Sequence, residues 1–289
     1  MAEREIRLIR HIRSLEIQKE QDMSIIEAIK KRESVRTYTS ENLSKDQISE
    51  IEQFIAQTKV PFRINARVIM INTVADKGAV KLGTYKFISG ASNYLALVYT
   101  ESPFSEEGAA YLFEQVVLHC TNMGLGTCWL GGSFSRGDFK KQIDLQPGEK
   151  LRIVSPVGYK SDKKRFIESF IKTEKQKKNP RRSFNEIFFQ NDFSTPLKEN
   201  RAGAFFQPLE MVRIGPSANN KQSWRVVMDN EALHFYKTPS LGFSAINMGI
   251  ALCHFEQTCI ELGIKGEFKT LSNVPEGKSV QYSISWVCG

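Results

Sequence analysis

From Ile246 to Phe255 the chain contains no Lys, Arg, Asp or Glu, and its apolar side chains occupy most of a helical circumference. Such a helix has no face to give to water and must be covered on several sides. It is well short of the ~20 residues that a membrane span requires, so the cover must be protein. The whole chain has 289 residues, enough for one large domain or two smaller ones at ~150 residues each. A helix at the centre of a pseudo-twofold, with half of the chain packed on either side, satisfies both facts.

A second long helix makes that arrangement concrete. Ala109, Leu112, Phe113, Val116, Val117 and Cys120 recur at i, i+3, i+4 spacing and predict a helix over 106–123. Residues 245–262 predict its counterpart. Both carry Phe-Glu-Gln (113–115 and 255–257), and both run into glycine, Gly124 and Gly263, the usual C-terminal stop. Aligning the glycines leaves the tripeptides nearly one helical turn out of step, which still presents the same face.

The surrounding elements repeat in abbreviated form. In the first half, Ser24 with Glu27 makes a capping box for a helix over 24–31, and Ser44 caps a helix over 43–58. Strands are predicted at 67–74, 94–100 and 151–159. In the second half a helix at 208–213 and a loop at 214–223 lead to strands at 224–229, 232–237 and 280–287. The expected organisation is an amphipathic helical extension at 1–23, a first half with a basic tail at 24–192, and a shortened second half at 193–289.

Hydrophobic residues make up 41% and charged residues 25%, which excludes a fibrous or largely disordered chain. The N-terminus lacks the apolar core of a signal peptide and no stretch is long enough for a membrane helix, so a cytoplasmic protein without a membrane partner is expected. The cysteines form no CxxC pair and the histidines show no metal-ligand spacing, against a disulfide framework or a zinc site. The formal net charge is +8, yet between Lys160 and Arg182 ten Lys or Arg face three Asp or Glu, so nearly all of the excess is local. With no aromatic stripe beside it, that run reads as a solvated linker and not as a nucleic-acid surface.

Two segments could carry chemistry. Arg32-Glu33-Ser34-Val35-Arg36 offers two guanidinium forks and a hydroxyl at a helix end, suited to phosphate or a planar anion. The segment 215–224, GPSANNKQSW, crowds hydroxyl and amide groups in front of a strand, where they can hydrogen-bond a polar heterocycle, although Pro, Ser and Asn also favour turns without any ligand. Neither contains an evident nucleophile or general base. Cys128, beside Trp129, reads as a packed thiol, and His119 and His254 as core residues.

These segments, with GLGTCWLGG at 124–132 and the SPVGY strand end at 155–159 followed by the basic tail, resemble the nitroreductase family of FMN-dependent oxidoreductases, in the branch that fuses two half-units in one chain. The resemblance covers residue 24 to the C-terminus. It implies an α+β fold, a three-layer α-β-α arrangement with a mostly antiparallel central sheet, built as an internal pseudo-dimer. Family members are normally homodimers with FMN at the interface; here one monomeric chain, acting as a pseudo-dimer, would complete one site. By the same resemblance Arg32 and Ser34 would hold the FMN phosphate and ribityl chain, and Arg36 would approach flavin N1 and the C2 carbonyl. Pro216, Ser217, Ala218, Asn220 and Gln222 would line the opposite side, and Arg181 would be a second phosphate-binding arginine. The backbone at Leu130, Gly131 and Gly132 would face flavin N5, where larger nitroreductases often carry Pro-x-Glu-Gly. The complementary site is expected to be missing, because residues 59–65 read KVPFRIN, without the serine and glutamine, and Asn185 in RRSFN stands where an arginine belongs.

The implied function is transfer of reducing equivalents from NAD(P)H through FMN to a small electron-poor acceptor of nitroaromatic or quinone type. The short connection at 239–244 motivates a second reading, a flavin-binding sensor or interaction protein without significant turnover.

Overall fold

The computed structural model describes residues 23–39, 41–73, 82–163 and 180–289; the expected helical extension at 1–23, apart from Met23, and most of the basic tail lie outside the described residues. Helices α1 (Ile25–Lys31) and α2 (Lys45–Gln57) open the first half, each started by its capping box: Glu27 N–H donates to Ser24 Oγ and Gln47 N–H to Ser44 Oγ, both at 3.2 Å. Strands β1 (Ala66–Asn72) and β2 (Asn93–Tyr99), helix α3 (Ser105–Asn122), strand β3 (Gly126–Thr127), helix α4 (Arg136–Lys140) and strand β4 (Lys150–Gly158) complete it. The remainder supplies α5 (Phe184–Ile187), β5 (Phe188–Gln190), α6 (Phe206–Ile214), β6 (Trp224–Met228), β7 (Ala232–Lys237), α7 (Ser244–Glu261), β8 (Gly266–Lys269) and β9 (Gln281–Cys288).

Two mostly antiparallel sheets result, ordered β1-β2-β4-β3 and β5-β6-β7-β9-β8. Strand β5 pairs in parallel with β6 at one edge; without it the two orders match strand for strand. The sequence numbers agree with that match. Helices α3 and α7 are both 18 residues long, both follow a phenylalanine (Phe104, Phe243), and both stop just before a left-handed glycine, Gly124 at φ 75° and Gly263 at φ 69°. Their offset is a constant 139 residues. The helix bounds therefore select the register that aligns the glycines, and the two Phe-Glu-Gln tripeptides fall out of step.

The uncharged helix owes its composition to its place. Ile246, Met248, Ile250, Ala251, Leu252, Cys253 and Phe255 are all buried. One side of α7 packs with Trp224, Phe235 and Trp286 of the second sheet, while Ile246 and Ile250 reach the cluster that joins α3 to Leu95, Leu97 and Ile153 of the first. Helices α3 and α7 pack against each other at Ala110 and Gly249, which are equivalent at the 139-residue offset. A Cβ on Gly249 would lie 2.1 Å from the carbonyl oxygen of Glu107, so only glycine permits this approach.

A buried polar chain spans the same interface. His254 and Glu114 are fully buried, with Nε2 2.8 Å from Glu114 Oε1. His254 Nδ1 lies 2.9 Å from the Met211 carbonyl, which can only accept, so Nδ1 carries a hydrogen, and Nε2 and the Glu114 carboxyl group are joined by one hydrogen bond. Trp129 Nε1–H donates to Glu114 Oε2 at 2.8 Å. Both carboxylate oxygens have partners, the condition for burying such a group. Among the described residues no helix is long and apolar enough to cross a membrane.

Candidate functional site between the halves

After α1 the chain turns at Arg32 and runs as a strap over the start of the glycine-rich segment. Val35 N–H donates to the Thr127 carbonyl at 2.8 Å, and a Cβ on Gly126 would fall 2.6 Å from a Val35 methyl, so glycine lets the strap lie close. Ser34 is left exposed and Arg36 half-buried, with Arg36 Nη1 donating to the Ser34 carbonyl at 3.2 Å. The glycine-rich segment is held from beneath by the SPVGY strand end, where the buried Ser155 Oγ accepts the Cys128 N–H at 2.9 Å.

The second half contributes the 215–224 loop. Asn219, Asn220 and Gln222 have φ of 53°, 58° and 46°, and asparagine is the side chain that best tolerates this left-handed backbone. Ser217 Oγ accepts from Gln222 N–H at 2.9 Å. Asn247 of α7 fixes the loop from the core: its Oδ1 accepts the Ala218 N–H at 2.9 Å, and its Nδ2 donates to Ser223 Oγ at 2.6 Å and Ser240 Oγ at 3.2 Å.

Strap, glycine-rich segment and loop enclose a cavity of about 360 Å³. Ser34, Arg36, Gly131 and Gly132 line it from the first half and Pro216, Ser217 and Ala218 from the second, with Trp129, Phe243, Ile246, Asn247 and Ile250 closing the interior. Phe243 is seated on Gly131, where a Cβ would lie 2.3 Å from its ring, and the Arg152 guanidinium sits 4.7 Å from the centre of that ring. Arg152 also pairs with Glu106 at 2.6 Å and donates to the Gly242 carbonyl, so the first half holds this lip of the second. A Cβ on Gly132 would meet nothing within 4 Å.

Five sequence-predicted residues do not line this cavity. Leu130 is buried among the side chains outside β2 and β4, and both its backbone groups bond to Val154 at 2.9 and 3.1 Å, so its N–H is already engaged. Gln222 is buried, and its side chain ties the incoming chain to the loop: Nε2 donates to the Pro180 carbonyl at 3.1 Å and Oε1 accepts the Arg182 N–H at 2.7 Å. Asn220, Gln222 and Arg181 line a separate recess of about 160 Å³.

Arg181 feels the charge of Arg32. Arg181 Nη1 donates to the carbonyls of Arg213 and Gly215 at 3.0 and 2.7 Å, capping the end of α6. Burial, then the charges of Arg213 and Arg32, push the Arg181 guanidinium down to about 10. Arg213 is held by both oxygens of Glu210 at 2.6 Å. Arg32 Nε is buried with no hydrogen-bond partner among the described residues. A desolvated cation beside an orphaned guanidinium nitrogen is the arrangement that an incoming dianion would complete.

Sequence reasoning missed Asn247, Phe243 and Trp129. The lack of charge on α7 pointed to its burial, but Asn247 shows its role only against Ala218, Ser223 and Ser240, all distant in sequence.

Residues 24–259 match the family described as Putative TM nitroreductase. A crystal structure of a putative nitroreductase from Thermotoga maritima is similar with a TM-score of 0.59 and 18% identity over 92% of this chain and 94% of that one, so the fold is shared. A nitroreductase with bound FMN from Bacteroides fragilis aligns with 50% of this chain and 92% of its own at 18% identity and a TM-score of 0.39. An FMN-dependent nitroreductase from Clostridium difficile aligns with 48% and 88% at 16% identity and a TM-score of 0.38. No curated protein matches the sequence.

Proposed function

The chain belongs to the nitroreductase family represented by that match, and from this premise we propose that it is an FMN-dependent oxidoreductase taking reducing equivalents from NAD(P)H and passing them to a small electron-poor acceptor. The observation that carries the reading is the orphaned, buried Nε of Arg32, at the strap that borders the cavity, within reach of the charge of the desolvated Arg181, which supports a phosphate-binding role for the two arginines. The cavity volume, about 360 Å³, falls within the ~300–1,000 Å³ of small-molecule sites, and its lining joins the rings and aliphatic side chains of Trp129, Phe243, Ile246 and Ile250 to many polar groups, as a polar heterocycle requires.

The residues divide the work of binding. Arg32 and Arg181 would hold the phosphate, and Ser34 and Ser217 would meet the ribityl hydroxyls. Among the described residues Arg36 alone in the lining carries a charge, and its guanidinium would favour the reduced, anionic form of a ring placed beside it. Trp129 and Phe243 would exclude water from one side, and the unobstructed backbone at Gly132 would allow close approach. Bound FMN supplies hydride acceptance and donation, so a lining that has no carboxylate, histidine or thiol among the described residues is compatible with the chemistry.

Anaerobic mixing of the FMN-loaded protein with NADH or NADPH tests this reading. Rapid bleaching, followed by reoxidation on adding a quinone or nitroaromatic, is the expected result. A protein that binds FMN and stays yellow with both nucleotides would refute the oxidoreductase and leave a flavin-binding protein.

A further inference from the structure

The pseudo-twofold that builds the cavity must also place an equivalent position on the other side of α3 and α7. Each residue of the cavity wall can be carried across. At the offset of 139, Phe243 corresponds to Phe104, Trp129 to Phe268, Ile250 to Tyr111 and Asn247 to Gly108. The loop is carried across by strand register: Val226 pairs with Phe235 in the second sheet as Val68 pairs with Leu97 in the first, and Phe235 and Leu97 are equivalent, each facing the helices and each standing next to the register shift of its strand. Counting back equally from Val226 and Val68 sets Pro61 and Phe62 in the place of Asn219 and Asn220, the first of which lines the open cavity.

Phe62 lies between the counterparts of the cavity walls. Its ring stacks on Phe104 at 5.7 Å and on Phe268 at 6.0 Å, with interplanar angles of 21° and 20°, and meets Tyr111 edge-on at 6.2 Å. Gly108 removes the side chain that would have competed for the space: a Cβ there would lie 2.8 Å from Ile64 Cδ1 and 3.2 Å from Phe62 Cβ. The loop-anchoring amide of Asn247 thus has no counterpart, and an aromatic side chain of the chain itself stands where the other half leaves room.

We propose that the mate of the cofactor cavity survives as an aromatic slot closed from within by Phe62, and that removing this ring opens a second site for a flat aromatic molecule. The cofactor identity of the open cavity rests on the function proposed above; the closed slot does not.

The test is ¹⁹F NMR of fluorobenzene with FMN-loaded wild-type protein and the Phe62→Ala variant. Apolar cavities opened by truncation take up benzene-sized ligands. The variant should show saturable broadening or a shift corresponding to one more site per chain than the wild type. Because Phe62 is only partly buried, the variant should keep the wild-type circular dichroism spectrum. A folded variant that binds no more fluorobenzene than the wild type would overturn the proposal. Flavin stoichiometry gives a second arm that needs no variant: one FMN per chain is expected, and two would overturn the closed slot. A wild type that binds no FMN at all would refute the proposed function, and the fluorobenzene comparison would still decide the slot.

Discussion

Replacing Arg32 with alanine separates a phosphate-binding arginine from an ordinary surface cation. In the cofactor-free protein Arg32 Nε has no partner among the described residues, and its charge helps to depress Arg181. A buried donor left unsatisfied costs about 1–3 kcal/mol, so its removal should leave the urea midpoint of the cofactor-free protein unchanged or higher. With phosphate present the sign reverses. One charge-assisted hydrogen bond contributes about 1.5–3 kcal/mol, which at ~1.4 kcal/mol per decade is a loss of roughly 10- to 150-fold in FMN affinity. Riboflavin, which has no phosphate, should bind the variant and the wild type equally. Quenching of flavin fluorescence measures both ligands, and Lys163→Ala, at an exposed position, is the control. An Arg32→Ala variant that retains FMN within twofold of the Lys163→Ala protein, or loses riboflavin as strongly as FMN, would refute the assignment.

Asn247→Ala should release the 215–224 loop, lowering stability by about 1–3 kcal/mol in urea titration and weakening FMN binding, because three hydrogen bonds to Ala218, Ser223 and Ser240 go together. Adjacent glycines should behave differently: Gly131→Ala must displace Phe243 and should cost about 1–3 kcal/mol, whereas Gly132→Ala, with open space around its Cβ, should leave stability within ~0.5 kcal/mol while reducing FMN affinity. His254→Leu leaves the buried Glu114 Oε1 and the Met211 carbonyl without their hydrogen-bond partner and should cost at least about 1–3 kcal/mol, read by the same titration. Burial pushes the Cys120 and Cys259 thiols up to about 12, so at pH 8 both stay protonated, and a thiol reagent should label native protein rapidly at the exposed Cys288 alone.

The long elements were legible because their signals are local. The apolar stripe and terminal glycine of α3 and α7 set their ends to within a residue, and Ser24 and Ser44 announced their helices through capping geometry. Strands β5 and β8 were not legible: Phe188–Gln190 is too short to show a period, and Gly266–Lys269 alternates one aromatic with charged residues, so each becomes a strand only against its neighbour. The site shows the same division. The strap and the loop could be singled out by side-chain chemistry, but the order of contact could not. Gln222 carries an amide suited to a ligand and uses it to tie Pro180 and Arg182 to the loop, a contact across some forty residues. Leu130 stands beside the cavity glycines in sequence, yet its pairing with Val154 turns it into the core. The Arg32–Arg181 juxtaposition depends on the path of the chain around α6.

The most direct measurement is a crystal structure of the chain grown with FMN. The account predicts one flavin per chain between the halves, with its phosphate against Arg32 and Arg181 and its ring between the Gly131–Gly132 backbone and the Pro216–Ala218 loop. A flavin bound within one half alone, or with its phosphate away from both arginines, would contradict it.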